Sequence, residues 1–260
     1  MAKKIIVANW KTNPRSLKEA KEIFNGIKKA ASKLTRVEAV VCPPFVFLSE
    51  IVRHSVSNRR TPSVRLGAQN VFYEKKGAYT GEISPVMLKD FGVKYIIIGH
   101  SERRALGEAD ETVNKKIKSA LEEGFKVILC IGERERDLDG EYLNFLKMQI
   151  NEGLKGVSKK LLNNLLIAYE PVWAISSNAG AQADNPESVM QIAIFIRREL
   201  LPLIGNQAAR NIPILYGGSV NPENAGDFLE RTGMQGLLVG GQSLIPKNFG
   251  EILKLANNIK

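Results

Sequence analysis

The chain has 260 residues, of which 44% are hydrophobic and 25% charged, and its formal net charge is +10. This composition is ordinary for a soluble globular protein, and the length allows one large α/β domain or two small ones. The first apolar run, at residues 5–8, is too short for a signal-peptide core and no later run could span a membrane, so we expect a cytoplasmic protein.

Eight short apolar segments recur along the chain, and each is suited to a strand buried on both faces. In order they are residues 5–8, 37–42, 64–67, 95–98, 126–131, 165–168, 212–216 and 236–239. The segments between them carry helical spacing or helix-capping residues. We expect helices at residues 17–34, 45–56, 108–123, 141–154 and 186–204, a short one starting at Asn221-Pro222, and a last one from about Asn248.

The alternation of strands and helices predicts a parallel sheet. Eight such units in about 250 residues match the closed (β/α)8 barrel, so we predict a single TIM-barrel domain covering residues 1–260. The alternative is an open doubly wound sheet, which usually carries a glycine fingerprint after its first strand. The sequence Ala8-Asn9-Trp10-Lys11 stands in that place, so we favour the barrel.

Polar residues and glycines follow several of the predicted strands. They are Asn9, Lys11, His100, Glu102, Glu170, Ser219, Gly240 and Gly241. In a barrel of this type the active site lies at the carboxyl ends of the strands. Closure of the barrel would therefore bring these residues, which are far apart in the sequence, to one rim.

Glu170 ends the sixth predicted strand, and Pro171 bars further pairing because it has no N–H to donate. The small, polar segment from Ser176 to Asp184 then predicts a loop. A carboxylate held at a strand end beside such a loop could abstract a proton away from water. A surface carboxylate in a turn would give the same pattern, so this segment alone leaves both interpretations open.

The segments Gly217-Gly218-Ser219 and Gly240-Gly241 follow strands seven and eight, where such barrels commonly bind phosphate on exposed backbone N–H groups. Lys11 could add a positive charge. His100 follows strand four and could open a helical turn, where free N–H groups disfavour a second proton on the ring. A neutral imidazole can still polarise a carbonyl, although a histidine that only caps a turn is the alternative.

No pattern in the sequence indicates a metal site, because the two cysteines and two histidines lack metal-ligand spacing. Cys42 and Cys130 lie in or beside apolar strands, which favours buried free thiols over a disulfide. The basic residues are spread over predicted helix faces, which indicates a solvated surface more than a nucleic-acid face. The positive charge could also attract an anionic small substrate.

Several stretches of the chain together resemble the motifs of triosephosphate isomerases, in order and over nearly the whole length. They are Asn9-Trp10-Lys11, Gly67-Ala68-Gln69-Asn70, Gly77-Ala78-Tyr79-Thr80-Gly81-Glu82, Gly99-His100-Ser101-Glu102-Arg103-Arg104, Cys130-Ile131-Gly132-Glu133, Ala168-Tyr169-Glu170-Pro171-Val172-Trp173-Ala174-Ile175, Tyr216-Gly217-Gly218-Ser219-Val220 and Val239-Gly240-Gly241. The resemblance implies that the chain interconverts dihydroxyacetone phosphate and D-glyceraldehyde 3-phosphate, in glycolysis and gluconeogenesis. Acid–base chemistry on a polarised carbonyl suffices for this reaction, so we expect no cofactor and no metal.

By the same resemblance, Glu170 is the base that moves a proton between adjacent carbons through an enediolate. His100 is the neutral electrophile, and Lys11 is the cation that stabilises the enediolate. The resemblance also implies a set of substrate-binding positions. They are Asn9, Lys11, Ser176, Ser219, Gly240 and Gly241.

The resemblance further implies a homodimer, in which the loop after strand three inserts beside the partner's active site. Here that loop runs from Ala68 to Ser84, with Thr80 at its expected tip. One stretch departs from the family pattern, because the lid that runs from Ser176 to Asn185 is a few residues longer and lacks the family's lysine. We expect the lid to close with altered kinetics while the chemistry is kept.

Two other functions compete with this interpretation. A barrel that acts on another phosphosugar, such as an aldolase or an isomerase of amino-acid biosynthesis, is one of them. The aldolase would need a Schiff-base lysine on a strand, and the predicted strands offer no convincing one. A binding protein that lost turnover could use the charge to hold RNA, but Asn9, Lys11, His100 and Glu170 are all present.

Overall fold

Eight parallel strands close into a barrel in the computed structural model of the protein, which describes residues 3–55, 64–137, 139–175 and 184–259. The strands are β1 (Lys4–Asn9), β2 (Val37–Cys42), β3 (Val64–Ala68), β4 (Tyr95–Ile98), β5 (Lys126–Ile131), β6 (Leu165–Tyr169), β7 (Ile214–Tyr216) and β8 (Gly236–Val239). Each strand pairs with its neighbours in chain order, and β8 returns to pair with β1. The predicted (β/α)8 barrel is therefore confirmed.

Helices follow the strands along the chain. They are α1 (Leu17–Ala31), α2 (Phe45–Ser55), α3 (Pro85–Asp90), α4 (Ser101–Ala105), α5 (Asp110–Glu122), α6 (Glu141–Leu154), α7 (Pro186–Ile204), α8 (Asn206–Asn211), α9 (Ala225–Arg231) and α10 (Pro246–Asn258). Single 3-10 segments occur at Lys159–Asn164, Val172–Ala174 and Gly241–Leu244. In the described part of the chain, none of the helices is long and apolar enough to cross a membrane.

Side chains of the strands alternate between two apolar layers, which explains why the strands are apolar throughout. One layer fills the barrel and includes Val7, Ile97, Ile128 and Leu215. The other layer lies between the barrel and the helices. With both faces packed, the strands hold the residues at their carboxyl ends in fixed positions.

Both cysteines lie inside the barrel as buried free thiols, as the sequence predicts. Burial raises the pKa of the Cys42 thiol and the pKa of the Cys130 thiol. Both groups therefore remain protonated at neutral pH.

Some predicted boundaries were wrong for local reasons. The helix predicted at residues 108–123 is present as α5, and the helical turn expected after His100 is the separate short helix α4. Strand β7 begins at Ile214, because the N–H of Ile212 donates to the Ala208 carbonyl of α8 and Pro213 has no N–H to donate. The helix expected from Asn221 begins at Ala225, because the Asn221 side chain accepts the next free N–H groups and forms a turn.

Candidate active site

The carboxyl ends of β1, β4 and β6 bring Lys11, His100 and Glu170 to one rim of the barrel. Nε2 of His100 lies 3.2 Å from Oε1 of Glu170. Glu102 completes a chain of contacts, because its Oε1 lies 2.6 Å from Nζ of Lys11 and its Oε2 lies 3.7 Å from Nδ1 of His100. The three charged or polarising groups that the sequence analysis singled out therefore share one site.

Glu170 is 2% exposed and is held from two sides. Its backbone N–H donates to the Ile131 carbonyl at 2.8 Å, and its Oε2 accepts the Ser101 N–H at 3.3 Å. Strand β6 lies between β5 and β7, so Gly132 and Gly217 at the ends of those strands flank it. A Cβ added at Gly132 would lie 1.8 Å from the carbonyl oxygen of Glu170, and a Cβ added at Gly217 would lie 2.8 Å from Cγ of Glu170. The carboxylate is therefore closely packed.

His100 is the N-cap residue of α4, and its Nδ1 accepts the Glu102 backbone N–H at 3.2 Å. A nitrogen that accepts a hydrogen bond carries no proton, so this contact assigns the single ring proton to Nε2, the nitrogen that faces Glu170. The turn is fixed by Arg104, whose Nε donates to the Gly99 carbonyl at 2.7 Å. The geometry therefore presents a neutral imidazole with its N–H aimed into the site.

Lys11 has a backbone φ of 52°, in the left-handed region that residues other than glycine rarely adopt. Its N–H donates to Oδ1 of Asn9 at 3.1 Å. Its carbonyl accepts Nε2 of Gln69 at 2.9 Å, and the same amide donates to the Cys42 carbonyl at 2.9 Å. These contacts stabilise the unusual backbone and fix the direction of the lysine side chain. The sequence analysis gave Gln69 no separate role, and its place in the Gly67-to-Asn70 motif was the available signal.

The glycines after β8 lie beside Lys11, because β8 pairs with β1. A Cβ at Gly240 would lie 3.4 Å from Cε of Lys11. A Cβ at Gly241 would have no described atom within 4 Å. Among the described residues, the Lys11 side chain is therefore the one that lies next to Gly240.

Ser219 contacts the polypeptide that follows Glu170. Its backbone N–H and its Oγ both donate to the Ala174 carbonyl, at 2.9 and 2.7 Å. The Ser219 N–H, which the sequence analysis expected to bind phosphate, therefore donates a hydrogen bond to the Ala174 carbonyl in this structure. Ser176, the remaining predicted binding residue, and residues 177–183 of the predicted lid lie outside the described residues.

Behind Glu170, the structure contains a polar cluster that the sequence analysis did not anticipate. Oε1 of the buried Glu133 accepts the Tyr169 hydroxyl at 2.8 Å, Nε1 of Trp173 at 3.0 Å and Nε of Arg136 at 3.0 Å. Nη2 of Arg136 donates to the Tyr169 hydroxyl at 2.7 Å and to Oδ2 of Asp184 at 2.8 Å. Burial raises the pKa of the Tyr169 phenol, so it remains a donor. Glu133 lies in a recognisable motif, whereas Arg136 and Asp184 do not.

The assembled groups fit proton transfer beside a carbonyl. A buried carboxylate can take a proton, a neutral imidazole N–H can donate to a carbonyl oxygen, and an ammonium can stabilise developing negative charge. Over the described ranges, no group of three or more histidine, cysteine, aspartate or glutamate side chains is placed to hold a metal ion.

Comparison with known proteins points in the same direction. The family model described as triosephosphate isomerase matches residues 4–256. A triosephosphate isomerase of Natranaerobius thermophilus is 42% identical over 98% of this chain and 97% of its own. One of Dehalococcoides mccartyi is 44% identical over 97% of this chain and 96% of its own, and one of Dictyoglomus thermophilum is 40% identical over 98% and 100%. The chain belongs to the triosephosphate isomerase family.

Proposed function

We infer that the protein interconverts dihydroxyacetone phosphate and D-glyceraldehyde 3-phosphate, and that Glu170 is the base that moves the proton. The observation that carries this assignment is the buried Glu170 carboxylate 3.2 Å from the N–H nitrogen of His100. A base and an electrophile at this separation can act on adjacent carbon and oxygen atoms of one small molecule.

In the reaction we propose, Glu170 takes a proton from the carbon next to the carbonyl, and the C–H electron pair forms the enediolate double bond. His100 donates its Nε2 hydrogen bond to the oxygen on which negative charge develops. Glu170 then returns the proton to the neighbouring carbon, while His100 gives its Nε2 proton to the former carbonyl oxygen and takes the proton of the former hydroxyl, so that the carbonyl moves to the other carbon. Each step is a proton transfer that these side chains can perform, so the reaction as proposed uses no cofactor.

Lys11 would stabilise both the enediolate and the phosphate. Its ion pair with Glu102 joins side chains that are 20% and 48% exposed. A pair exposed to this degree contributes only about 0–1 kcal/mol, so an anionic substrate can compete for the ammonium. The strained backbone at Lys11 has a use in this account, because it directs the ammonium toward the centre of the rim.

The phosphate would be bound by backbone N–H groups at Gly240 and Gly241, next to Lys11. Asn9 would support this site by holding the Lys11 N–H. The position of Ser219, which touches the segment after Glu170, suits a phosphate ligand once its N–H is released from Ala174. Ser176 is proposed as a further ligand on the strength of the family resemblance alone.

We further propose a homodimer formed through the segment that runs from Ala68 to Ser84. Residues 74–80 of this segment, including Thr80, are exposed. Large apolar side chains are also exposed in the elements after β2 and β3. They are Val46, Tyr79, Val86 and Met87. Burying these apolar side chains against a second copy of the chain is favourable. Sedimentation at twice the 28.8 kDa chain mass would support the dimer. A monomer at assay concentration would contradict it.

We propose one catalytic domain that covers residues 1–260 and acts in the cytoplasm, where a glycolytic enzyme meets its substrate. We propose no nucleic-acid partner, because the charge is distributed over many helices. Strong RNA binding with a steep salt dependence, in a protein without isomerase activity, would contradict this proposal.

A coupled isomerase assay on wild type and Glu170→Gln tests the function. Loss of a general base costs about 10²–10⁴ in rate or more, so kcat should fall by several orders of magnitude while KM changes little. Glu187→Gln is the matched control, because it removes an exposed carboxylate of α7 that pairs with Arg231 of α9. Equal rates for wild type and Glu170→Gln would remove Glu170 from the mechanism, and an inactive wild type would favour a different phosphosugar enzyme.

A further inference from the structure

One guanidinium connects the polypeptide on both sides of residues 176–183. On one side, Arg136 lies over the Trp173 ring at 4.9 Å and donates through Nη2 to the Tyr169 hydroxyl at 2.7 Å. On the other side, the same Nη2 donates to Oδ2 of Asp184 at 2.8 Å, and Nη1 donates to the hydroxyl of Ser188 in α7. The two flanking stretches are therefore held to the same side chain.

This cluster also reaches the turn that carries Glu170. The Glu133 carbonyl accepts the Val172 N–H at 2.9 Å, and its carboxylate accepts the Trp173 indole N–H at 3.0 Å. Glu133 is in turn held by Nε of Arg136 at 3.0 Å. The backbone and side chains immediately after Glu170 are thus oriented by Glu133, and Glu133 is oriented by Arg136.

Arg136 in turn depends on its second carboxylate. Asp184 is 7% exposed and its Oδ1 accepts the Asn185 N–H at 2.9 Å, so the carboxylate is fixed at the start of α7. The planar guanidinium can contact Glu133 and Asp184 at once because its donors form a rigid fork. Without Asp184, the outer end of the guanidinium would lose its charged partner and could rotate away from the Tyr169 hydroxyl.

We propose that Arg136 and Asp184 form a positioning pair for the turn from Glu170 to Trp173, so that the pair affects turnover without touching substrate. This inference rests on the proposed role of Glu170 as the base. It assigns a function to two residues outside the rim and predicts that kcat, rather than KM, responds to them.

Burial and ion pairing act in opposite directions on the two charges of the pair. Burial raises the pKa of the Asp184 carboxyl in spite of the neighbouring guanidinium. Burial also acts against the charge of Arg136, but the contacts with Tyr169, Asp184 and Glu133 outweigh it and raise the pKa of the guanidinium. The two shifts oppose each other across the pair, so the positioning role rests on the contacts described above.

The test compares Asp184→Ala with Asp184→Asn, which keeps one of the two oxygen acceptors. A misplacement of about 1 Å can cost on the order of a hundredfold in rate. For the partial loss of one support we expect kcat of Asp184→Ala to fall roughly tenfold with KM within about twofold, and Asp184→Asn to recover most of it. Glu187→Ala is the control, because it removes an exposed carboxylate from the first turn of α7 and should leave kcat unchanged.

Tryptophan fluorescence supplies an independent readout, because the proposal predicts that Trp173 is no longer held in place in Asp184→Ala. The second tryptophan, Trp10, is buried in another part of the core. Asp184→Ala should shift the emission spectrum and Glu187→Ala should not. Arg136→Lys, which keeps the charge but loses the fork, should reproduce both the lower kcat and the shifted emission. It decides the question if Asp184→Ala does not fold.

A normal kcat in folded Asp184→Ala would overturn the proposal. An equal loss of kcat in Glu187→Ala would also overturn it. So would a loss that Asp184→Asn does not recover and that is accompanied by a lower melting temperature of the variant. Glu170→Gln is measured in the same series. If Glu170→Gln is inactive and Asp184→Ala is normal, only this inference fails, whereas full activity of Glu170→Gln removes the proposed base itself.

Discussion

Replacing Gly217 with alanine should impair catalysis by displacing the Glu170 side chain. The new Cβ would lie 2.8 Å from Cγ of Glu170, whereas the nearest backbone atom, the Tyr169 carbonyl oxygen, would be at an acceptable 3.4 Å. Two carbon atoms in contact prefer about 3.5–4.0 Å, so Cγ must move by roughly 1 Å. The strand itself can stay in place, since the short contact is with the side chain.

The size of the effect follows from that displacement. The Glu170 carboxylate lies 3.2 Å from the His100 ring, and a shift of this size alters its distance to any substrate atom. Misplacement by about 1 Å can cost on the order of a hundredfold in rate, so we expect kcat to fall about a hundredfold with a much smaller change in KM.

A steady-state isomerase assay, with circular dichroism to verify folding, measures this loss. Gly226→Ala is the control, because an added Cβ on α9 would meet no described atom within 4 Å. It should keep full activity, and alanine in a helix should stabilise it slightly. If Gly217→Ala retains kcat within about threefold of wild type, Glu170 does not need the position seen in this structure and the packing argument is refuted.

Three further predictions concern charge and protonation. Lys11→Met should lower kcat/KM at least about a hundredfold in the same assay. The control Lys115→Met removes an exposed lysine paired with Glu111 and should keep the wild-type value. Similar rates for Lys11→Met and wild type would exclude the Lys11 ammonium from the mechanism. The raised pKa values of Cys42 and Cys130 predict that iodoacetamide labels the native protein slowly at about pH 8 and rapidly in urea, and fast native labelling would contradict their burial. The pKa of the Asp184 carboxyl is raised in the folded protein, whereas the same carboxyl in the unfolded chain titrates near 3.8. The folded protein therefore holds the proton to higher pH. The stability that Asp184 contributes falls as the pH rises from the unfolded pKa through the folded pKa. Asp184→Asn has no titrating group at this position, so its stability relative to wild type should rise as the pH increases above about 4 in urea titrations, and a constant difference would contradict the assigned direction.

The barrel could be predicted from the sequence because its strands are buried on both faces. Burial on both faces produces unbroken apolar runs such as residues 95–98, and short runs that alternate with helices allow few topologies. The same logic located His100 and Glu170, since polar residues directly after such runs must lie at strand ends. Their contact at 3.2 Å across β5 depends on β4, β5 and β6 pairing in chain order.

What the sequence did not reveal depends on contacts between distant segments. Arg136 and Asp184 are 48 positions apart, and neither residue type is unusual in a loop. Gly217 was read as an anion-binding glycine, but its close neighbour is Glu170, which only the order of β6 and β7 places there. Periodicity reports which face of a segment is buried and does not report what that face touches.

The most direct test of the account is whether Glu170 removes a carbon-bound proton. Dihydroxyacetone phosphate is incubated in deuterium oxide with wild type or with Glu170→Gln, and proton NMR follows deuterium incorporation at the reacting carbon. We expect rapid incorporation with wild type and a rate lower by several orders of magnitude with Glu170→Gln, at similar substrate affinity. Incorporation at the wild-type rate by Glu170→Gln would contradict it.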